Sequence, residues 1–427
     1  MYLNTFLLYF GFDPDNFVNE LSDPIEADDG SIIYNLRQRI DKHICPHCGC
    51  IEATINDYFF VNVRVTSNSG LKTILRIKKV RFKCKACHKT YTSKINGIER
   101  YGKISNQTLK LLENDFKKQK TFSIIADDYQ MSTARVMQLF DMTYPYISRN
   151  KLSQALCIDE ISFKTEDGSY ACILYDHRKR IVIDVLRNRQ QAYLKDYFSH
   201  CSYKERNEVN VFVSDLYEGY SSIKEEFFPH AIHVADLFHV IRLLTHEISV
   251  LRVQTIKQYT QDGDLERYFM KTHWTLFESN LNSEKMKQPF YSKKEKATLT
   301  YWGVMKRCLE LNMDLWEAFS CLQSFFEYWH FSSFENASKE LQRIYTKLKN
   351  TGNEGLVRVA STYKKWEIEI CNAFTLKDET GKRYSNGPAE GLNSLIKTLI
   401  KDPNGYRNFE RFRKRVLIVV NNRKDPS

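Results

Sequence analysis

The sequence predicts an α/β protein with several domains, in which a strand-rich core is interrupted by an all-helical insertion. Short apolar strands, turns and helices alternate through residues 153–236. Residues 237–375 instead carry apolar and aromatic residues at helical spacing, with few glycines and prolines. The chain has 427 residues, too many for one simple core, and its 42% hydrophobic and 27% charged residues are ordinary for a folded protein.

The net charge and the cysteine content indicate which kind of partner and which cellular compartment to expect. The net charge of +11, from 63 Lys and Arg against 52 Asp and Glu, favours a polyanionic partner without establishing one. The 11 cysteines lack the dense pattern of a small secreted domain, and residues 1–10 lack the flanks of a signal peptide. No uncharged run approaches the ~18 residues of a membrane span. We therefore expect a cytoplasmic protein with reduced thiols and no membrane partner.

Two Cys-x-x-Cys pairs stand 35 residues apart in the N-terminal segment. The paired residues are Cys45, Cys48, Cys84 and Cys87. Two tight turns that each present two thiolates suit a tetrahedral zinc ion. Residues 58–65 and 71–82 alternate enough to be antiparallel strands between the pairs. The pattern predicts a zinc ribbon, in which structural Zn²⁺ replaces a hydrophobic core too small to hold itself.

Other readings of the ribbon segment stay open. The competing ligands are Cys50, His47 and His88. The paired cysteines are preferred because they complete four sites unaided, and the alternative is two unconnected buried cysteine pairs. Basic residues crowd 76–89. They form either a solvated face or a contact with the DNA backbone.

Residues 104–142 change to helical periodicity. Thr121 precedes a short helix at 122–129, and after a turn Ser132 can cap a second helix that runs to Phe140. This is the spacing of a helix-turn-helix, which the preceding basic run supports. The predicted shared core is Ile124, Ile125, Val136, Leu139 and Phe140. The predicted DNA-binding face of the second helix, which can reach base edges or phosphates, is Thr133, Arg135 and Gln138.

The central segment carries five apolar strands. The first three are joined by tight turns and are predicted to be antiparallel, and the later ones are joined through helices and are predicted to be parallel. This is the order of a ribonuclease-H-like mixed sheet. The predicted strands are 155–163, 169–175, 180–186, 209–213 and 231–235, with helices at 190–199 and 217–227.

Three acids occupy comparable places in this pattern. Asp159 lies in the first strand, Asp215 closes the fourth, and Glu390 opens a helix after the insertion. Three carboxylates can bind two Mg²⁺ (or Mn²⁺) ions for phosphoryl transfer, because hard cations prefer oxygen ligands. Neighbouring strand residues face opposite ways, so Asp159 and Glu160 are not expected to share one metal pair, although alternation alone does not choose between them. Each acid taken alone is more simply explained as a strand-end cap or a surface charge. The three acids together favour a catalytic site.

Several segments together resemble the ISL-three family of bacterial insertion-sequence transposases. They are the ribbon, the helix-turn-helix, and residues 214–220, 235–240 and 385–393, in the same order over nearly the whole chain. The resemblance implies a DDE transposase with Asp159, Asp215 and Glu390 as the catalytic triad. It also implies accessory positions at Asp236 and His239 and leaves Glu160 beside the site, facing away.

The resemblance completes the expected function. It implies a bacterial, nucleoid-associated enzyme that binds double-stranded DNA at the terminal inverted repeats of its element, cleaves the ends and joins the 3′-hydroxyls to target DNA. A homodimer is expected because two ends must be held together. The alternatives are a catalytically silent DNA-binding regulator and a structure-specific nuclease. The predicted domains are 1–100 (ribbon), 101–150 (helix-turn-helix), 151–240 (first part of the catalytic core), 241–378 (helical insertion) and 379–427 (last helices of the core).

Overall fold

The structure is a computed structural model that describes residues 3–18, 23–40, 44–68, 70–92, 94–99, 102–165, 168–328, 333–400 and 408–422. The elements up to residue 143 are α1 (Leu3–Tyr9), a 3₁₀ turn (Pro14–Asn16), β1 (Ile25–Glu26), β2 (Ile32–Arg37), β3 (Ala53–Asn68), β4 (Leu71–Cys84), β5 (Thr90–Thr92), α2 (Asn106–Phe116), α3 (Phe122–Asp128) and α4 (Thr133–Thr143). The elements from 155 to 258 are β6 (Ala155–Thr165), β7 (Gly168–Asp176), β8 (Val182–Leu186), α5 (Gln191–Ser199), α6 (Tyr203–Asn207), β9 (Val211–Ser214), α7 (Glu218–Phe227), β10 (Ile232–Ala235) and α8 (Leu237–Gln258).

The remaining elements are mostly helices. They are α9 (Leu265–Thr272), a 3₁₀ turn (Trp274–Glu278), α10 (Glu284–Lys287), β11 (Pro289–Ser292), β12 (Ala297–Thr300), α11 (Tyr301–Glu310), α12 (Met313–Tyr328), α13 (Phe334–Asn350), α14 (Glu354–Lys365), α15 (Glu367–Thr375), α16 (Gly387–Ile400) and α17 (Phe409–Asn422). The chain divides into two compact units: unit 1 is Met1–Ser148 with Thr398–Ser427, and unit 2 is Arg149–Lys397.

Unit 1 is built on a long antiparallel hairpin. Strands β3 and β4 pair from Ala53↔Cys84 to Asn68↔Leu71, β2 runs parallel to β4, and β5 adds to β4 near the second cysteine pair. The predicted strands of the ribbon are thereby confirmed. Alternate residues of the hairpin face a core shared with α1, and this core includes Phe6, Leu7, Phe10, Val63, Leu75 and Ile77.

The two predicted helices of the helix-turn-helix are present as α3 and α4. Thr121 accepts a hydrogen bond from the Ile124 backbone N–H (3.2 Å), and Ser132 accepts one from the Arg135 N–H (3.3 Å), so each helix has the expected N-cap. One core prediction is wrong: Ile124 is 48% exposed. The buried residues of α3 are Phe122 and the residues three and four positions after it, Ile125 and Ala126. Ile124 therefore lies on the outer face of the helix.

Unit 2 contains the predicted ribonuclease-H-like sheet. The strand order is β10-β9-β6-β7-β8. Strands β6, β7 and β8 pair in antiparallel fashion, and β9 and β10 are parallel to β6 and to each other. Helices α5 and α7 cover one face through a core that includes Leu156, Ile158, Leu194, Phe198 and Tyr220.

The segment after β10 is helical as predicted, with one exception. Residues 289–300 form the antiparallel hairpin β11–β12, in which Pro289 pairs with Thr300 and Ser292 with Ala297. The four residues between these strands include Lys293, Lys294 and Lys296. Among the described residues, no helix is both long and apolar enough to cross a membrane.

The last helix packs in unit 1, which differs from the predicted assignment of 379–427 to the catalytic core. The reason is the fully buried side chain of Arg415 in α17. Its Nη1 donates to the carbonyl of Phe116, and its Nη2 donates to those of Lys118 (3.1 Å) and Lys120 (2.5 Å). The guanidinium also lies 5.3 Å from the centre of the Phe122 ring. A cation thus caps the C-terminal end of α2, where the helix dipole is negative.

Arg415→Met should destabilise unit 1, because three carbonyls lose a charged donor that the apolar side chain cannot replace. At about 1–3 kcal/mol for each unsatisfied buried group, the loss is about 3 kcal/mol or more. Calorimetric melting should show a fall of roughly 6 °C or more in the transition of this unit. The matched control is Arg343→Met, since the Arg343 side chain is 74% exposed and its pair with Glu340 lies at the surface. Equal melting of the two variants would contradict the capping role.

Candidate active site and zinc centre

The hairpin of unit 1 brings the two cysteine pairs together. The first pair precedes β3 and the second begins at the last residue of β4. All four sulfur atoms lie within 4.8 Å of one another. The Sγ atoms of Cys45 and Cys87 are 3.7 Å apart, and those of Cys48 and Cys84 are 3.6 Å apart. A tetrahedral ion about 2.3 Å from each sulfur requires separations of about 3.8 Å, so the arrangement supports a structural zinc.

Both cysteine turns have the same backbone geometry. The N–H of Gly49 donates to the Cys45 carbonyl (2.9 Å), and that of His88 donates to the Cys84 carbonyl (3.1 Å). Gly49 and His88 both adopt left-handed backbone, with φ of 75° and 56°. The backbone N–H of Cys87 donates to the Cys84 sulfur and lowers the pKa of this thiol to about 6, which favours the thiolate that binds metal.

The competing ligands do not join the four-sulfur cluster. Among the described residues, the metal-compatible group contains the four paired cysteines and neither Cys50, His47 nor His88. Cys50 instead interacts locally, with its Sγ 3.4 Å from the Glu52 backbone nitrogen. The structure therefore favours the paired cysteines, and Cys50 offers a neighbouring thiol for comparison.

In unit 2 three acids stand on neighbouring strands, one within a strand and two directly after one. Asp159 lies in β6, while Asp215 directly follows β9 and Asp236 directly follows β10. Because β9 and β10 run parallel to each other and β9 runs parallel to the start of β6, the residue after β9 lies beside the middle of β6 and the residue after β10 lies one strand further. Continuing the pairing Cys157↔Val213 by two residues brings Asp159 opposite Asp215. Two of the acids are almost fully buried, with Asp159 8% and Asp236 3% exposed.

Burial and mutual repulsion shape the protonation of these acids. Burial raises the pKa of Asp159, and it raises the pKa values of Asp215 and Asp236 to about 6. The negative charge of Asp159 raises the pKa values of the other two further. A protonated His239, in the first turn of α8, lowers all three. Its Nε2 lies 3.8 Å from the Asp236 carboxylate. The site therefore concentrates negative charge that a cation would neutralise.

Glu160 points to the opposite face of β6 from Asp159. Its carboxylate accepts hydrogen bonds from Arg189 (2.8 and 3.0 Å) and from the Tyr220 hydroxyl (2.9 Å). The guanidinium of Arg189 is in turn 5.2 Å from the centre of the Tyr217 ring. Glu160 thus accepts three hydrogen bonds from two donor groups, while its charge still raises the pKa of Asp215. These contacts suit a residue that holds β6 in place better than a residue that binds a metal ion.

Asn386 ties the start of α16 to the sheet. Its Nδ2 donates to the Ile158 carbonyl (3.2 Å), and its Oδ1 accepts from the Tyr175 hydroxyl (2.6 Å). Its backbone N–H donates to the Asp236 carboxylate (3.3 Å). One asparagine therefore links β6, β7 and the end of β10 to the N-terminal end of the helix.

Asn393 makes a second link from the same helix. Its Nδ2 donates to Oδ2 of Asp159 at 2.6 Å, and the Glu160 backbone N–H donates to the other carboxylate oxygen at 2.8 Å. Both oxygens of Asp159 are thereby held. The third predicted acid, Glu390, belongs to α16, but its side chain lies outside the described part of the chain.

The oxygen atoms of the described side chains suit a hard divalent cation as its ligands. Among the described side chains, Oδ1 of Asp215 and Oδ1 of Asn393 are buried oxygens without a hydrogen-bond partner. Buried oxygen acceptors are normally satisfied, and a bound cation satisfies them as well as a donor does. Carboxylate and amide oxygens are the ligands that Mg²⁺ and Mn²⁺ prefer.

The predicted DNA-binding residues lie on α4 of unit 1. Gln138 is exposed, while Thr133 and Arg135 are half-buried. The Nη1 of Arg135 donates to the side-chain oxygen of Gln138 at 2.6 Å. The two side chains are thus oriented by each other instead of extending separately.

Sequence reasoning missed part of this network. It assigned no partners to Asn386 and Asn393, and it did not single out Tyr175 or Arg189. The signal for the asparagines was present in their spacing from Glu390. Tyr175 and Arg189 carry no local signal, because their roles depend on which strands become neighbours.

The strand order and the acids at one sheet edge define the class: a ribonuclease-H-like core of the kind used for metal-dependent phosphoryl transfer. The family model for the ISL3-type DDE transposase domain, described as "Transposase", matches residues 156–416. A second model, described as the zinc-finger of transposase IS204/IS1001/IS1096/IS1165, matches residues 41–87. The chain belongs to the ISL3 (ISL-three) family of DDE transposases. The matched transposase domain includes Asp159, Asp215 and Asp236.

One curated relative has a different description. A protein of Lactococcus lactis subsp. lactis described as "ATP-dependent protease" is 30% identical over 136 residues, which are 31% of this chain. The matched segment spans 39% of that protein's length, so the similarity covers a minor part of both chains.

Cys45→Ser should release the zinc, because a tetrahedral site that loses one of its four sulfur ligands binds the metal far more weakly. Metal analysis of the purified chain should give about one zinc per wild-type molecule and a large loss in the variant. Cys50→Ser is the matched control and should keep its zinc. Equal zinc content in all three proteins would contradict the assignment.

Asn393→Ala should weaken divalent-metal binding and metal-dependent DNA cleavage about 10–100-fold, the usual effect of removing a partner of a metal ligand. The physical reason is that Asp159 loses the donor that orients its Oδ2. Titration of Mn²⁺ against cleavage rate measures the effect. The control is Ser394→Ala at the exposed neighbouring position. A variant with unchanged metal dependence would show that the asparagine does not position the carboxylate.

Proposed function

We propose that the protein binds the terminal inverted repeats of its insertion sequence, cleaves the DNA ends and joins the 3′-hydroxyls to target DNA. Asp159, Asp215 and Glu390 are the catalytic acids in this proposal. Two divalent cations, Mg²⁺ in the cell, would activate the attacking water or 3′-hydroxyl and stabilise the leaving oxygen when bound.

The observation that carries the proposal is the attachment of α16 to the strand of Asp159. Asn386 and Asn393 both contact β6, one through the Ile158 carbonyl and one through the Asp159 carboxylate. Glu390 stands four residues after the first and three before the second. Residues at these spacings share one face of a helix. The spacing therefore supports Glu390 as the third acid, on the helix face that meets the sheet edge.

Three further residues have supporting roles in the proposal. Asp236 and His239 are accessory: the first accepts the Asn386 backbone N–H, and the second places a positive charge beside the acids when it is protonated. Glu160 anchors β6 to Arg189 and Tyr220 on the far face. Their effects on catalysis would act through the positions and protonation of Asp159 and Asp215.

Recognition of the element ends is assigned to unit 1. The zinc ribbon and the helix-turn-helix supply it, with Thr133, Arg135 and Gln138 of α4 as candidate contacts. Transposition requires two ends to be held at once, so we propose that the active species is a homodimer. The net charge of +11 supports binding to a polyanion.

The decisive experiment mixes purified protein, Mg²⁺ and DNA that carries the terminal repeats flanking the gene. The wild type should cleave the ends and join them to target DNA. Asp159→Ala, Asp215→Ala and Glu390→Ala should each abolish both steps while keeping DNA binding, because each removes a metal ligand. Gel analysis of cleaved and joined products measures the outcome. The control is Asp196→Ala, which removes an exposed carboxylate from α5 and should remain active.

Different failures point to different functions. Binding without cleavage by the wild type would favour a silent DNA-binding regulator. Cleavage without joining would favour a structure-specific nuclease. Full activity of the Glu390 variant alone would transfer the role of third acid to another residue, for which Asp236 is the nearest candidate in the described site.

A further inference from the structure

A basic groove lies within unit 1, between the ribbon sheet and the turn that precedes α4. Its volume is about 570 Å³. The charged residues that line it are Arg64, Lys72, Lys103 and Arg135. Every charged residue in this described lining is basic. One acid stands next to it: Asp29 pairs with Lys72 at 2.5 Å.

The groove has fixed walls. The backbone of Arg64 in β3 accepts from the Ser105 N–H (2.9 Å) and donates to the Lys103 carbonyl (2.8 Å). Its side chain reaches across the groove and donates to the Gln130 carbonyl at 3.0 Å. Burial lowers the pKa of Arg64, the charge of Asp29 raises it, and the charge of Arg135 lowers it. Cations held this close together favour an anion between them.

The groove continues onto the outer face of the ribbon sheet. Tyr58 and Phe60 of β3 are 43% and 53% exposed, and they share a strand face with Asn62 and Arg64. The Arg76 guanidinium lies 4.5 Å from the centre of the Phe60 ring, and the Lys78 ammonium lies 4.8 Å from that of Tyr58. Each cation is therefore positioned by an aromatic ring while it remains near solvent.

We propose that this face and the groove form one track that binds the phosphate backbone of duplex DNA. The phosphate track is defined by Tyr58, Phe60, Arg64, Lys72, Arg76, Lys78, Lys103 and Arg135. The proposal rests on the proposed function and extends it from α4 to the ribbon sheet. From residue 58 to residue 64 the strand rises about 20 Å, which matches the rise of about six base pairs.

The track changes the role of Arg135. This residue stands on the DNA-binding face of α4 and lines the groove as well. Its bond to Gln138 and its place opposite Arg64 direct it to a phosphate, and Gln138 remains as the side chain that reads bases. Phosphate contacts fix the register of a protein on DNA, and base contacts specify the sequence. The ribbon sheet thus sets how the helix-turn-helix docks.

The test compares full-length variants that each lose two positive charges. Lys72→Gln/Lys103→Gln removes charge from the groove and leaves the Arg64 bond in place, and Arg76→Gln/Lys78→Gln removes it from the sheet face. The matched control is Lys110→Gln/Lys118→Gln, on the exposed side of α2 and just beyond it, outside the track. Fluorescence anisotropy measures binding to duplexes with and without a terminal repeat, from about 50 to 200 mM salt. Zinc content and melting temperature verify the fold.

Both track variants should bind the two duplexes more weakly by the same factor. Their slope of log affinity against log salt should fall by about 2, at roughly 0.9 for each lost phosphate contact, and the control should stay near wild type. Arg135→Gln should likewise weaken both duplexes equally; a selective loss for the terminal repeat would make Arg135 a base reader. If the track variants bind DNA as the control does, the proposed phosphate track is wrong, and the proposed recognition of the element ends is unaffected. A wild type that binds no duplex would overturn both.

Discussion

The attachment of one helix to one strand is the constraint on which the active site depends. Helix α16 follows a long helical insertion in sequence, yet Asn386 and Asn393 bind it to β6 within unit 2. These bonds use the Ile158 carbonyl and the Asp159 carboxylate, so the strand and the helix position each other. A buried hydrogen bond to a carboxylate is stronger than a neutral one and costs more to lose. The insertion can therefore be long without loosening the geometry of the acids.

The burial that positions the acids also raises the free energy of the state in which all of them are ionised. The pKa values of Asp159, Asp215 and Asp236 all rise, with burial as the largest cause. Within the described site, His239 lies 3.8 Å from Asp236 and offsets part of this negative charge when it is protonated. A divalent cation would compensate much more, and the unpartnered oxygens of Asp215 and Asn393 offer it ligands. Chemistry at this edge of the sheet is thus coupled to metal binding through ordinary electrostatics.

Unit 1 is stabilised in a different way, because its zinc ribbon has a small hydrophobic core. In the described part of the cysteine end the apolar core is a small cluster around Val80, Phe82 and Tyr91, so a metal site takes the place of a larger core. The helix-turn-helix has its own apolar core and gains a buried cation from Arg415 of α17. With these parts fixed, the outer face of the hairpin does not have to bury apolar residues. It can expose rings and cations together, which is the surface the proposed phosphate track uses.

The sequence by itself determined the parts whose signals are local: the cysteine pairs, the helix caps at Thr121 and Ser132, and the succession of strands and helices along the core. Periodicity and spacing report on neighbours along the chain, and these were predicted well. Ile124 was misplaced because a shift of one residue in the helix face reverses its burial. Only the tertiary structure decided the partners of Asn393, the far-face anchoring of Glu160 and the place of α17. Each of these depends on a contact between segments far apart in sequence, and such contacts leave no periodic trace.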